Sequence, residues 1–309
     1  MTVIAMPHCG MAAHSTSGGE VVEREVLSRV GAYGVDAHVL RPVCRGLRWW
    51  NSPLLFAAPL GNCLARHTPA LIRAHSLRYT GLAALVARRV TGVKVTAHFH
   101  HLEQDRLAWL DRFVLRRADQ VITDSAFSQR QAAYLGVKAE IVPLGVDHER
   151  FRPSPMPSGR VVLLLGGTKR RKNAAFVRAL WPDVVRQVPD ARLVEAGQGA
   201  GLSDQAMTAL YHRARVVAFP SLLEGFGLPA LEAMACGRPV VVSNCGALPE
   251  FGVTTRYLQP DLWVEALVTL LTDDRRWQEC VEYGRWVAAG YSWEATAKAL
   301  AEAWRRCAD

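Results

Sequence analysis

The sequence predicts an α/β protein made of two domains, each with a parallel sheet covered by helices. Short apolar segments alternate with helical patterns over the whole chain, the signature of parallel strands joined through helices. At 309 residues the chain is long enough for two cores. Pro153, Pro155, Pro157 and Gly159 interrupt the pattern near the middle, so the linker is expected there.

Taken in order, the first-half strands are expected at 2–6, 35–40, 71–74, 93–97, 120–123 and 139–142. Helical patterns fill 19–33, 77–91 and 126–135 between them. The second half repeats the scheme, with strands at 161–166, 192–196, 216–219 and 239–243 and helices at 173–188, 263–271 and 275–289. A last helix starts at Ser292, a suitable N-cap followed by an acid in the first turn, and runs to Arg306. The domains are therefore drawn at 1–152 and 153–291, with 292–309 as the closing helix.

Half of the residues are hydrophobic and 21% are charged, a globular composition. The longest apolar stretch, 52–65, is broken by Pro53, Pro59, Gly61 and Asn62, so no membrane-spanning helix or signal peptide is expected. The 7 cysteines lack a Cys-x-x-Cys pair and suit a reducing cytoplasm. Net charge is +9, and no acid interrupts the span from Asp36 to Glu103, which carries Arg41, Arg45, Arg48, Arg66, Arg73, Arg78, Arg88, Arg89 and Lys94. Such a domain suits an anionic partner: a membrane leaflet, a phosphorylated acceptor or nucleic acid. Nucleic acid is the weakest of these, because aromatic and basic residues interleave only at Arg45, Arg48, Trp49 and Trp50. Solvated arginines sharing no face are the plain alternative. The expected location is cytoplasmic, with the inner membrane face as a peripheral surface.

The segment from Ser221 to Val241 carries the most chemistry. Glu224 and Glu232 flank a turn, Gly225-Phe226-Gly227-Leu228, that opens a helix begun by Pro229 and closed by Gly237. Backbone amides at such a helix start favour an anion, and the two carboxylates can reach hydroxyls on either side of it. A sugar nucleotide has that layout. Gly18-Gly19-Glu20, at a strand-to-helix turn, would let a phosphate approach the backbone. Lys169-Arg170-Arg171-Lys172 follows the first strand of the second half, on its ligand edge, without the ending of a P-loop. His98, His100 and His101 close the fourth strand; zinc is one reading, but no Cys or Asp completes the set at ligand spacing.

These blocks resemble family 4 of the retaining glycosyltransferases, with its Glu-x7-Glu signature, and the resemblance extends over most of the chain. It implies a GT-B fold: two Rossmann-like parallel-sheet domains facing a central cleft, with the last helix crossing back to the N-terminal domain. The acceptor would bind 1–152 and a nucleotide-diphosphate sugar 153–291. Glu224 would contact the transferred sugar and Glu232 the ribose; Lys172, helped by Arg171, would hold the diphosphate. Gly18, Gly19 and the Gly225–Leu228 amides would lie beside it, and His98 would face the donor sugar. The chain has no Asp-x-Asp, so metal-independent transfer with no cofactor is expected. It departs from its relatives at Gly167, where many carry Arg or Thr, and between Gly199 and Tyr211, where it is shorter. Three other readings stand beside this one: a non-catalytic sugar-nucleotide-binding partner protein, a nucleic-acid-modifying glycosyltransferase, and a GT-B epimerase.

Overall fold

The computed structural model describes residues 1–6, 18–40, 54–75, 77–102, 108–166, 170–196, 202–252 and 255–309. The chain forms two compact units, Met1–Leu144 with Trp293–Asp309, and Gly145–Ser292.

Unit 1 contains β1 (Thr2–Met6), α1 (Gly18–Leu27), β2 (Asp36–Val39), α2 (Leu54–Arg66), β3 (Leu71–Ala74), α3 (Leu82–Thr91), β4 (Lys94–Phe99), α4 (Ala108–Leu115), β5 (Gln120–Thr123), α5 (Ala126–Tyr134) and β6 (Glu140–Ile141). Its sheet has the order β2-β1-β3-β4-β5-β6, and every pairing is parallel. The strands are buried on both sides: Ile4, Ile72 and Val95 pack with α2 and α3 residues, while Ala97, Val121, Val114 and Leu115 form a second cluster. The helical pattern over 19–33 divides into α1 and a 3-10 turn, Val30–Tyr33, ended by Gly34 at φ 70°.

Unit 2 holds β7 (Val161–Leu165), α6 (Ala174–Gln187), β8 (Arg192–Ala196), α7 (Asp204–Arg213), β9 (Val216–Phe219), α8 (Leu228–Ala235), β10 (Val240–Ser243), β11 (Thr255–Arg256), α9 (Pro260–Thr272) and α10 (Asp274–Ala289). Its parallel sheet has the order β11-β10-β9-β7-β8. Trp263, fully buried, anchors the core and meets Phe176 edge-on at 5.4 Å.

The division between units falls at Leu144 and Gly145, not in the proline cluster. Residues 154–156 are tied into unit 2: Arg238 Nη2 donates to the Ser154 and Pro155 carbonyls at 2.9 and 3.0 Å, and Arg215 Nη1 lies 3.1 Å from Met156 Sδ. The final helix α11 (Trp293–Ala308) packs within unit 1. Thr296 Oγ1 donates to the Pro143 carbonyl at 2.8 Å, and Gln120 Nε2 donates to the Ala303 carbonyl at 2.9 Å. No helix among the described residues is long and apolar enough to cross a membrane.

Candidate functional site

In unit 2 the loops after β7, β9 and β10 are stitched together at the carboxyl edge of the sheet, where open parallel sheets take ligands. Leu222 N donates to the Arg171 carbonyl at 2.8 Å, and Ala247 N to the Glu224 carbonyl at 2.9 Å. Ser243 Oγ donates to the Ser221 carbonyl. Two blocks distant in sequence thereby become one surface. Lys172 Nζ donates to Glu224 Oε1 at 2.7 Å and lies 4.5 Å from the centre of the Phe219 ring. Arg171 Nη1 donates to the Leu223 carbonyl at 3.3 Å and sits 3.8 Å from Glu224 Oε1. The basic turn is therefore more than a solvated face: the Lys172 side chain is only 16% exposed.

The turn that carries Glu224 is fixed by close packing. Gly227 has φ 107°, and a Cβ there would lie 2.7 Å from Leu248 Cδ2. Gly246, at φ 63°, rests against the Glu224 backbone: a Cβ would lie 2.7 Å from Glu224 N and overlap its carbonyl oxygen. Phe226 is buried against Phe251 and Tyr291 at 5.5 and 5.7 Å, so its ring anchors the turn. Leu228 begins α8, with Gly225 and Gly227 just ahead of it. Glu232 lies further along α8 and accepts from Tyr211 OH at 2.9 Å. Burial pushes the Glu232 carboxyl up to about 7; Asp204 adds to this, while the Tyr211 hydrogen bond, Arg150 and Lys172 oppose it. Burial also raises the Tyr211 hydroxyl well above its ordinary value, so it donates as a neutral phenol.

Unit 1 gathers a second set at the carboxyl ends of β3, β4 and β5. His98 is fully buried, and both ring nitrogens are engaged: Nδ1 with Arg73 Nη2 at 3.3 Å, Nε2 with Asp124 Oδ1 at 2.8 Å. It has no surface with which to face a ligand directly, and the solvent-reachable histidine of the group is His100, its side chain 25% exposed. Burial holds His98 near 4, against the opposing pull of Asp124. Burial would raise Asp124, but the charges and hydrogen bonds of His100 and His98 outweigh it and keep the carboxyl at about 2. His98, His100 and Asp124 offer ligand atoms within 4.8 Å of one another. Sequence spacing hid this cluster, because Asp124 arrives from the neighbouring strand.

Gly18 and Gly19 open α1, and among the described residues a Cβ at either would meet nothing within 4 Å. Ser125 caps α5 by accepting from Ser128 N at 3.2 Å. Gly167, the loop at 197–201, and Arg45, Arg48, Trp49 and Trp50 lie outside the described residues. Sequence reading missed Tyr211, Gly246, Arg73 and Asp124 as site groups; the first sits on α7, which no strong periodicity announced.

Two family models match: Glycosyltransferase Family 4 over residues 12–150 and Glycosyl transferases group 1 over residues 200–273. Among curated relatives, D-inositol 3-phosphate glycosyltransferase of Segniliparus rotundus is 31% identical over 54% of this chain and 47% of its own. MMP alpha-(1->4)-mannosyltransferase of Mycolicibacterium hassiacum is 33% identical over 58% of this chain and 49% of its own. The chain thus spans about half the length of these relatives. Among solved structures, sucrose-phosphate synthase of Thermosynechococcus elongatus superposes with a TM-score of 0.82 at 20% identity, covering 99% of this chain and 98% of that one. Anabaena Alr3699/HepE in complex with UDP-glucose gives 0.75 at 16% identity, covering 99% and 100%. These likenesses show the GT-B fold expected from the sequence, and the two matched models share one conclusion. Over both matched stretches the chain is similar to glycosyltransferases.

Proposed function

We propose that the chain transfers a sugar from a nucleotide-diphosphate donor, held by unit 2, to an acceptor held by unit 1, with retention at the anomeric carbon. The observation that carries this is the joining of Lys172 and Arg171 to Glu224 on one ligand edge, in a chain similar to glycosyltransferases. When the anomeric bond breaks, negative charge develops on the diphosphate. Lys172, Arg171 and the amides of Gly225, Phe226, Gly227 and Leu228 stabilise it where it forms. Glu224 then accepts from the sugar hydroxyls and Glu232 from the ribose. The leaving phosphate takes the acceptor proton on the face it departs from, so no separate base is required. His98, locked by Arg73 and Asp124, holds the shape of the acceptor unit instead of touching the donor. Neither Mg²⁺ nor Mn²⁺ is needed, because protein cations neutralise the diphosphate.

A screen of the purified chain against UDP-, GDP-, ADP- and dTDP-sugars tests this. Donor at about 100-fold its dissociation constant stabilises the fold by about 2.7 kcal/mol. Transfer products that keep the donor's anomeric configuration by NMR support the reading; binding without transfer or hydrolysis would make the chain a sugar-nucleotide binder.

For the acceptor unit, an anionic lipid surface is the proposed partner. On α4, Trp109 is 61% and Phe113 38% exposed, and Arg112 shares that face at helical spacing.

A further inference from the structure

Three rings of unit 2 meet edge to face beside the turn that carries Glu224. Phe226 and Phe251 lie 5.5 Å apart at 88°, Phe226 and Tyr291 5.7 Å apart at 74°, and Phe251 and Tyr291 5.8 Å apart at 88°. Phe226 and Phe251 are buried, and Tyr291 is half-buried.

Each ring comes from a different stretch of the unit. Phe226 stands between Gly225 and Gly227, Phe251 ends the 3-10 turn Leu248–Phe251 after β10, and Tyr291 follows α10. A side chain flanked by two glycines sits on backbone that turns readily. Where the Phe226 ring is held therefore decides where the amides of the turn point. Phe251 also closes on that backbone, since a Cβ at Gly227 would lie 3.2 Å from its Cε2.

Tyr291 differs from the other two in what it is fastened to. The chain enters unit 2 after Leu144 and leaves it after Ser292, so Tyr291 is the residue before the exit. Ser292 forms a parallel bridge with Val146, the second residue of the entry. His148 Nε2 donates to the Tyr291 carbonyl at 2.9 Å. Entry and exit are clasped together, and Tyr291 joins that clasp to the aromatic trio. Burial first, and Glu250 second, raise its hydroxyl above the ordinary value, so the group at the trio is a neutral phenol.

We propose that Tyr291 is a positioning residue for glycosyl transfer: its ring holds Phe226, and through it the amides of Gly225–Leu228, to the clasp between the two chain crossings. The aim of those amides and the place of the clasp then shift together. The proposal rests on the reading that the turn takes the donor diphosphate, so its test reads the turn and the ligand separately.

Hydrogen exchange by mass spectrometry, on the full chain without ligand, reads the turn. An edge-to-face contact shifts a local opening equilibrium by up to about tenfold, so Tyr291→Ala should speed exchange in peptides covering 225–228 by about that factor. Peptides from β8, at the sheet edge, should keep their rate. Tyr291→Phe should restore protection, because the ring and not the hydroxyl makes the contact, and His148→Ala should loosen the same peptides to a smaller degree. Calorimetry with UDP, GDP, ADP and dTDP reads the ligand: the nucleotide that binds the unaltered chain should bind Tyr291→Ala about tenfold more weakly and recover in Tyr291→Phe. Unchanged exchange at 225–228 in Tyr291→Ala overturns the proposal. Faster exchange spread equally over β8 overturns it too, as general unfolding, and so does a loosened turn that binds nucleotide as tightly as before. If the unaltered chain binds none of the four, the diphosphate reading fails, and exchange alone still decides whether Tyr291 holds the turn.

Discussion

Lys172 Nζ is bonded to Glu224 Oε1 at 2.7 Å, so the group assigned to the diphosphate and the group assigned to the sugar hold each other. Glu224 is 6% exposed and depends on that partner. Under the proposed function, donor binding would draw Lys172 toward phosphate while sugar hydroxyls satisfy Glu224, which would couple recognition of the two ends of the leaving bond.

Lys172→Ala is expected to lower kcat/KM by roughly tenfold to a hundredfold, since a charge-assisted hydrogen bond contributes about 1.5–3 kcal/mol. Lys172→Arg should recover part of the loss, because it restores the charge beside Glu224. Steady-state kinetics with varied donor reads both, and an unchanged kcat/KM in the alanine variant removes Lys172 from the site.

The two glutamates should fail differently. Glu232→Ala should mainly raise the donor KM, because the ribose is remote from the reacting bond, while Glu224→Ala should mainly lower kcat. The reverse split would exchange their roles.

Donor affinity should rise with pH through about 7, because a ribose diol donates to the ionised form of Glu232. The stability contribution has the opposite sign. The folded carboxyl is raised above its ordinary 4.5, so that contribution is complete below about 4.5 and is lost as pH rises to about 7. Tyr211→Phe removes a hydrogen bond that lowers this value, and should move the affinity midpoint upward. Calorimetric titration of donor across pH checks both; a midpoint unmoved in Tyr211→Phe would separate the phenol from Glu232.

Much of this architecture was legible because parallel strands buried on both faces read as short apolar runs. The turn from Glu224 to Leu228 announced itself through paired glycines before a proline-started helix. What escaped was lateral. Asp124 reaches the histidines from the next strand, and Gly246 supports Glu224 from the loop after β10; neither relationship leaves a spacing in the chain. The acid-free span has the same limit. Arg73 meets Glu23, Arg78 meets Asp111, and Arg88 meets Asp119, all acids outside that span, so these three arginines are bound in ion pairs.

Gly246→Ala should destabilise unit 2 and displace Glu224 together. The left-handed conformation alone costs a residue with a Cβ about 1–2 kcal/mol, and overlap with the Glu224 carbonyl adds to that. Thermal unfolding and kcat should fall jointly. A stable variant with full turnover would show that the loop after β10 does not position Glu224.

The lipid-surface proposal makes a distinction among basic residues that sequence alone could not. Arg78 and Arg88 are held by Asp111 and Asp119, so replacing either with alanine should leave vesicle binding unchanged. Trp109 and Arg112 on the open face of α4 should matter, because each basic residue near an anionic leaflet contributes about 1 kcal/mol and an interfacial tryptophan adds apolar contact. Co-sedimentation should therefore show binding to vesicles containing anionic lipid and none to neutral ones. The binding should weaken in Trp109→Ala and Arg112→Glu, and it should fade as added salt shortens the screening length below about 8 Å. Equal pelleting with both vesicle types, or none with either, would remove the membrane and leave a dissolved acceptor as the partner of unit 1.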